Sequence, residues 1–259
     1  MTDLDLTRYV RPGDRVVWGQ GPAEPQTLTE LLVAQRDRLG GVTCFIGLPG
    51  SDAIRSEHAD ELTFESYCGT GRNQRLPRLA VIPVHYAALP GLLAGGRLAA
   101  DVVFVQVSAP DEQGQHSLGL GEDYFSAALD TARVVIAEVN DQVPYTFGTR
   151  TLSAGDWTTC VSSSRPPVEM KAAAPSAAAT AVARNVAALV DDGATVQFGV
   201  GALPEACLDA LGGHRAQRAA EPADRGPQRV HDRGPGHRSA PFISCASRGN
   251  GRYVLIPRR

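Results

Sequence analysis

A chain of 259 residues has room for one large α/β domain or two modest ones. With 43% hydrophobic and 20% charged residues it has the make-up of a globular protein, and no apolar run approaches the roughly 20 residues that a membrane span needs. The net charge of −3 is unevenly spread: ten arginines against three acids give residues 214–259 a net +7, which leaves −10 on residues 1–213.

The first ten residues, MTDLDLTRYV, carry acids where a secretory leader needs bases and an apolar core, so a cytoplasmic location is expected. Pro12-Gly13 then turns the chain into a short apolar strand over Arg15–Trp18. The loop GQGPAEP follows, and after it a helix with Leu28, Leu31, Leu32 and Leu39 on its apolar face. Gly40-Gly41 closes that helix, because glycine tolerates a left-handed cap. VTCFIGL reads as a buried strand. RLAVIPVHY reads as a strand ending at His85, and ALPGLLAGG as a short helix closed by glycines. ADVVFVQVSAP is an unbroken Val/Phe run, the mark of a strand covered on both faces. GEDYFSAALDTA predicts a helix and RVVIAEVND another buried strand. Strands alternating with helices predict an α/β domain on a mostly parallel open sheet.

After Thr151 the rhythm loosens, and SSSRPPVEMKAAAPS has the composition of a connector. AAATAVARNVAALVDDGA predicts a helix with Val182, Val186 and Leu189 near one face. TVQF is a strand, and PEACLDALGG a helix with Pro204 in its first turn and a stripe of Ala206, Cys207, Ala210 and Leu211. A second α/β unit thus begins near 176. From His214 onward only APFISCAS and RYVLIP could be strands.

Three stretches carry candidate chemistry. In VQFGVGALPEA a strand delivers Gly199 and Gly201 to a helix start. Glycines let a backbone approach a ligand, and free N–H groups at a helix start suit an anion or an oxyanion. A tight turn without ligand fits the same letters. A dinucleotide fingerprint would need glycine where Pro204 stands. The second stretch, VQVSAPDEQGQHSLGLGEDY, leaves a buried strand at the carboxyl end of the sheet, where open α/β sheets place ligands. Asp111, Glu112 and His116 could do acid–base work there, with Gly114 shaping the loop; acids facing water fit equally. The third, AEVNDQVPYTFG, runs a strand into Asn140, which could donate to a carbonyl or cap the turn. Arg72 and Arg75 in YCGTGRNQRL could contact phosphate or carboxylate. No GxSxG and no Walker A motif occurs. Cys44, Cys68, Cys160, Cys207 and Cys245 include no CxxC and read as free thiols, with no metal site.

Taken in order, VSAPDEQGQHSLGLGEDY, VIAEVNDQVPYTFG and VAALVDDGATVQFGVGALPEACLDAL resemble the acetyl-CoA hydrolase/transferase family, over roughly residues 10–213. That resemblance implies two related α/β domains of the NagB/RpiA/CoA-transferase kind with the active site between them. It implies an acyl-CoA and a short-chain carboxylate as partners, commonly in a homodimer. Coenzyme A would be a substrate, with no separate cofactor. A glutamate of the C-terminal domain would attack the thioester, giving an acyl-glutamyl anhydride and then a glutamyl-CoA thioester. Gly199, Val200, Gly201 and Ala202 would form the oxyanion and CoA-binding loop, with Asp111, Gly114, His116, Asn140 and Arg72 as candidate substrate-pocket residues.

The expected division is an N-terminal CoA-transferase-like domain over 1–160, a linker over 161–175, the start of a C-terminal domain over 176–213, and a tail over 214–259. The tail departs from the family pattern. Glu221 is followed by PADRGPQ, and no glutamate comes after it. An Arg/Pro/Gly/Ala run, in a chain with 24 arginines and the single lysine Lys171, has the composition of a GC-rich gene read out of frame. The expectation is a poorly ordered tail, an incomplete second domain, and a chain that stops short of the nucleophile and is inactive alone. The alternatives are a non-catalytic remnant that binds CoA or a carboxylate, and a regulatory protein with a nucleic-acid-binding tail. The tail lacks the interleaved aromatics that stack on bases, so nucleic acid is the least favoured partner.

Overall fold

The computed structural model of the protein describes residues 3–170, 174–191, 195–196, 201–212, 218–219, 244–246 and 252–254. The chain divides into two compact units, one over residues 1–170 and one beginning at 171.

The first unit is built on seven parallel strands. They are β1 (Arg15–Trp18), β2 (Val42–Phe45), β3 (Leu62–Ser66), β4 (Ala80–Val81), β5 (Val102–Val107), β7 (Val134–Asn140) and β9 (Thr159–Ser163), in the order β4-β3-β2-β1-β5-β7-β9. A small antiparallel pair, β6 (His116–Ser117) with β8 (Thr151–Leu152), sits apart from the sheet. The chain lays strands outward from β1 to β4, then returns to the other side of β1 with β5. The strand order therefore reverses between β1 and β5, and a crevice opens at the carboxyl ends of those two strands.

The apolar runs read as doubly covered strands divide by parity. Val16, Trp18, Val102, Phe104, Val134 and Ile136 join one core, under helix α1 (Gln26–Ala34) through Leu28 and Leu32. Val17, Val103, Val105, Val135 and Ala137 join the other, under helix α2 (Leu89–Ala94) through Leu89 and Leu93. Alternate side chains point to opposite faces, so both faces need apolar residues and both need a helix.

Five elements differ from the sequence reading. α1 ends at Ala34, and Leu39 is buried from a separate 3-10 turn over Arg36–Arg38. GEDYFSAALDTA forms a 3-10 turn over Tyr124–Ala128, not an α-helix. Tyr124, Phe125 and Ser126 are all buried, and three successive residues cannot share one face of an α-helix. RLAVIPVHY gives only β4, because Pro83 has no N–H to extend the ladder. Strands β3 and β9 were not anticipated, and β9 carries the sheet to Ser163, past the boundary expected at 160.

In the second unit, α3 (Ala177–Ala187) is capped by Ser176, whose Oγ accepts from Ala179 N at 3.1 Å. It packs on α4 (Ala202–Leu211) through Ala183, Ala206 and Cys207, flanked by Val186 and Ala210. The buried line on α3 is Ala183 and Ala187. Val182 and Leu189, expected on the apolar face, are 44% and 86% exposed. Of the predicted α4 stripe, Ala206, Cys207 and Leu211 are buried and Ala210 is half-buried. Short pairs complete the described residues: β10 (Thr195–Val196) parallel to β11 (Arg218–Ala219), and β12 (Ser244–Ala246) antiparallel to β13 (Arg252–Val254). The rest of the tail lies outside the described residues.

Candidate functional site: the loops at the carboxyl edge of the sheet

The crevice between β1 and β5 is covered by loop 19–25, which follows β1, and loop 108–123, which follows β5. Both pack at backbone distance. A Cβ on Gly19 would come within 2.9 Å of Ala23 and Phe125, and one on Gly121 within 2.6 Å of Ala23. Gln106 on β5 donates from Nε2 to Pro22 O at 3.0 Å, and Gln20 N donates to Asp123 Oδ2 at 3.2 Å. The two loops are thus locked together over the reversal point.

Loop 46–55, which follows β2, is fixed to the same place by two side chains of loop 19–25. Gln20 Oε1 accepts from Leu48 N at 3.0 Å and from the Tyr67 hydroxyl at 2.7 Å, while its Nε2 donates to Tyr86 OH at 2.9 Å. Tyr67, Tyr86 and Tyr124 meet edge to face, with centroids 5.0–6.2 Å apart, and Tyr124 donates to Trp18 O at 2.9 Å. Glu24 is buried and accepts from Gly50 N at 2.8 Å, from Ser51 N at 2.9 Å and from the Ser51 hydroxyl.

A third buried carboxylate, Glu138 on β7, caps α1. It accepts from Thr27 N at 2.8 Å, Thr27 Oγ1 at 2.7 Å, Leu28 N at 3.3 Å and Ser163 Oγ at 2.8 Å. Asp123, also buried, accepts from two N–H groups, those of Gln20 and Phe125, both at 3.2 Å. Burial pushes its carboxyl up to about 7.

The residues picked from the sequence fall into three sets, and among the described residues no hydrogen bond joins one set to another. Asp111 organises its own loop. Its Oδ1 accepts from Gln113 N and Gln115 N at 2.9 and 2.8 Å, and its Oδ2 from the Tyr145 hydroxyl at 2.9 Å. The Gln115 N–H, more than any other neighbour, holds its carboxyl below the usual range. Gly114 supplies the left-handed turn, φ 73°, in open space. The His116 imidazole is buried. Its Nδ1 faces Ser108 O at 2.8 Å, so it carries the proton, and the ring meets Trp157 edge to face. Asn140 forms the second set. It donates to Gln106 Oε1 and Arg165 O at 3.3 and 2.9 Å, and accepts from Gln142 N and Arg165 N at 3.1 and 3.2 Å. Arg72, the third, holds loop 46–55 through Gly50 O at 2.6 Å and an ion pair with Asp52 at 2.9 Å.

Gly199 and Val200 lie outside the described residues. Gly201, at φ 131°, is the N-cap of α4, and Ala202 is that helix's first residue. Sequence reasoning missed Gln20, Glu24, Asp123 and Glu138. Only Glu138 carried a local signal, an acid inside the apolar run VVIAEVN.

With the geometry in place, comparison with known proteins decides the family. Residues 1–151 match the model of the acetyl-CoA hydrolase/transferase N-terminal domain, more than half of the chain. The chain belongs to the acetyl-CoA hydrolase/transferase family. It is 32% identical over 200 residues to the 4-hydroxybutyrate coenzyme A transferase of Clostridium kluyveri, covering 75% of this chain and 46% of that protein. It is 34% identical over 134 residues to the succinyl-CoA:acetate/propanoyl-CoA:succinate CoA transferase of Fasciola hepatica, covering 51% of this chain and 28% of the other. Among solved structures it resembles RipA from Yersinia pestis, with TM-score 0.73, 26% identity, and 80% of this chain on 52% of that one. It also resembles a 4-hydroxybutyrate CoA-transferase from Porphyromonas gingivalis, with TM-score 0.66, 29% identity, and 82% on 50%. The chain spans about half the length or less of the curated relatives it matches. Among the described residues no helix is long and apolar enough to cross a membrane.

Proposed function

We propose that this acetyl-CoA hydrolase/transferase family member binds acyl-CoA and short-chain carboxylates, with coenzyme A as a substrate and not a resident cofactor. The observation that carries the reading is the family match over 1–151, in a chain whose loops converge on the reversal of strand order. The relatives named as CoA transferases support the substrate class. In the full reaction a glutamate carboxylate attacks the thioester carbonyl and expels CoA thiolate, leaving an acyl-glutamyl anhydride. The thiolate then attacks the glutamyl carbonyl and frees the acyl group as a carboxylate. A second carboxylate or water resolves the glutamyl-CoA thioester. Backbone donors at Gly199, Val200, Gly201 and Ala202 would hold the oxyanion, and Arg72, Asp111, Gly114, His116 and Asn140 would shape the substrate pocket.

The 259-residue chain alone forms no acyl-enzyme in this reading. Glu24 and Glu138 are buried and committed to backbone N–H groups, so neither is free to attack a thioester. The tail over 214–259 offers no family-like glutamate setting. A linker after the first unit, the start of a C-terminal domain at 176 and a homodimer belong to the same proposal. The test is calorimetric titration of the purified chain with acetyl-CoA, followed by intact-protein mass measurement. Saturable binding without a covalent adduct is expected. Absence of binding overturns the substrate class, and an acyl or CoA adduct on any glutamate overturns the missing nucleophile. Reading the gene beyond codon 213 in its other two frames tests the tail: a family-like continuation is expected there.

A further inference from the structure

A cleft of about 400 Å³ lies between α2 and the 3-10 turn over Tyr124–Ala128, and shares Asp123 with the end of loop 108–123. This falls within the range of roughly 300–1,000 Å³ that small-molecule sites occupy. Ala87, Pro90, Ala94 and Ala127 give it apolar walls made of small side chains. Its polar lining comes from Asp123, Ser126, Thr131, Asp130 and Arg150.

We propose that this cleft binds a small primary ammonium carried on a compact apolar body. The charges around the cleft point to a cation. Arg150 is already paired with Asp130 through two hydrogen bonds of 2.7 and 2.9 Å, and it also donates to Ser126 O at 3.2 Å. That leaves Asp123 as the one acid of the lining with no cation in ion-pairing range among the described residues. The groups that face it are the Gln20 and Phe125 N–H, with the Tyr124 phenol close by. Each of its carboxylate oxygens takes a single long hydrogen bond and keeps lone pairs to offer. Burial holding its carboxyl near 7 is the behaviour of an acid that lacks its counter-ion.

The second observation is Ser126. It is 3% exposed, and among the described residues its hydroxyl has no hydrogen-bond partner. Buried hydroxyls are nearly always partnered, so an orphan in the wall of a cleft marks a missing acceptor or donor. An ammonium brings three donors, and Asp123 and Ser126 supply acceptors for them. A carboxylate ligand would instead bring negative charge beside Asp123 and Asp130.

Benzylamine, benzyl alcohol and benzoate share one ring and differ in the head group, so they separate the classes. The measurement is a titration of the isotope-labelled 259-residue chain at pH 8, following the amide signals of residues 87–94 and 123–131. Benzylamine is expected to saturate shifts in those segments and to bind roughly tenfold or more tighter than benzyl alcohol, the value of one charge-assisted hydrogen bond. Benzoate is expected to give no saturable response. Asp123→Asn should bring benzylamine down to the alcohol's affinity. Ala94→Leu sits on an exposed helix position and leaves folding intact; it should fill the cleft and abolish binding of all three. Equal affinities for amine and alcohol, preferential binding of benzoate, no saturable shift with benzylamine, or binding untouched by Ala94→Leu would each overturn the proposal. This inference does not rest on the acyl-CoA reading: its probes carry no coenzyme A, so loss of benzylamine binding and loss of acetyl-CoA binding are separate outcomes.

Discussion

Burial without a counter-ion dictates how Asp123 responds to pH. Its carboxyl is raised from 3.8 to about 7 in the folded chain, so the folded state holds a proton that the unfolded state has released between those values. Stability from this group is fully present below about pH 4 and is lost as pH rises through 7, by up to about 4 kcal/mol. Asp123→Asn removes the titration and one acceptor. The variant should be less stable than the parent at pH 5, yet should lose less stability between pH 5 and pH 8. Urea unfolding of both proteins at the two pH values checks this; parallel losses would refute it. Glu138 presents the opposite case, a buried carboxylate whose two oxygens accept four hydrogen bonds. In Glu138→Ala the Thr27 and Leu28 N–H groups lose their acceptor. A loss of about 3 kcal/mol in urea unfolding is expected, from those buried N–H groups left unpaired.

Glycines act on the elements in two distinct ways, and the same substitution separates them. Gly50 sits where loop 46–55 meets loop 19–25. A Cβ there would overlap the Gly21 carbonyl oxygen and come within 2.8 Å of Val168, and backbone cannot yield as a side chain end can. Gly50→Ala should cost about 2 kcal/mol, the range of overpacking. Gly91 lies within α2 with nothing in reach of an added methyl. Gly91→Ala should stabilise by about 0.5–1 kcal/mol through helix propensity alone. Thermal unfolding of both variants should give shifts of opposite sign. The elements that sequence reasoning found, β5 and β7 above all, declare themselves because burial on both faces leaves an unbroken apolar run. β3 carries a readable alternation of Leu62, Phe64 and Ser66, but its polar surroundings conceal it. β9 offers only Val161 to the core, as an edge strand can. The turn at Tyr124–Ala128 could not be told from a helix, since composition does not reveal that successive residues are all buried. At the site, Asp111, His116 and Asn140 stood out as polar residues at strand ends. The clamps Gln20 and Asp123 did not, because they meet across 103 residues of chain and no local spacing records that.

At the scale of the whole molecule, the position of the first unit's boundary follows from who completes its buried polar groups. The family match ends at residue 151, whereas the compact unit runs to 170. Between those points lie Val161, which is part of the core; Ser163, which donates to Glu138; and Arg165, whose backbone N–H and C=O both bond Asn140. Arg165 also grips Glu30 on α1 through two hydrogen bonds of 2.8 Å. A piece ending at 151 would strip β9 from the sheet, expose the unpaired edge of β7, and leave Glu138 and Asn140 short of partners. A piece ending at 170 keeps all seven strands and both cores. Residues 1–170 should therefore unfold in urea as one cooperative transition, with the far-ultraviolet circular dichroism of a parallel α/β sheet, whereas residues 1–151 should show a shallow transition or aggregate. If residues 1–151 unfold as cooperatively and at the same midpoint as residues 1–170, the segment from 152 to 170 contributes nothing to the fold, and its contacts with Glu138, Asn140 and Glu30 are incidental.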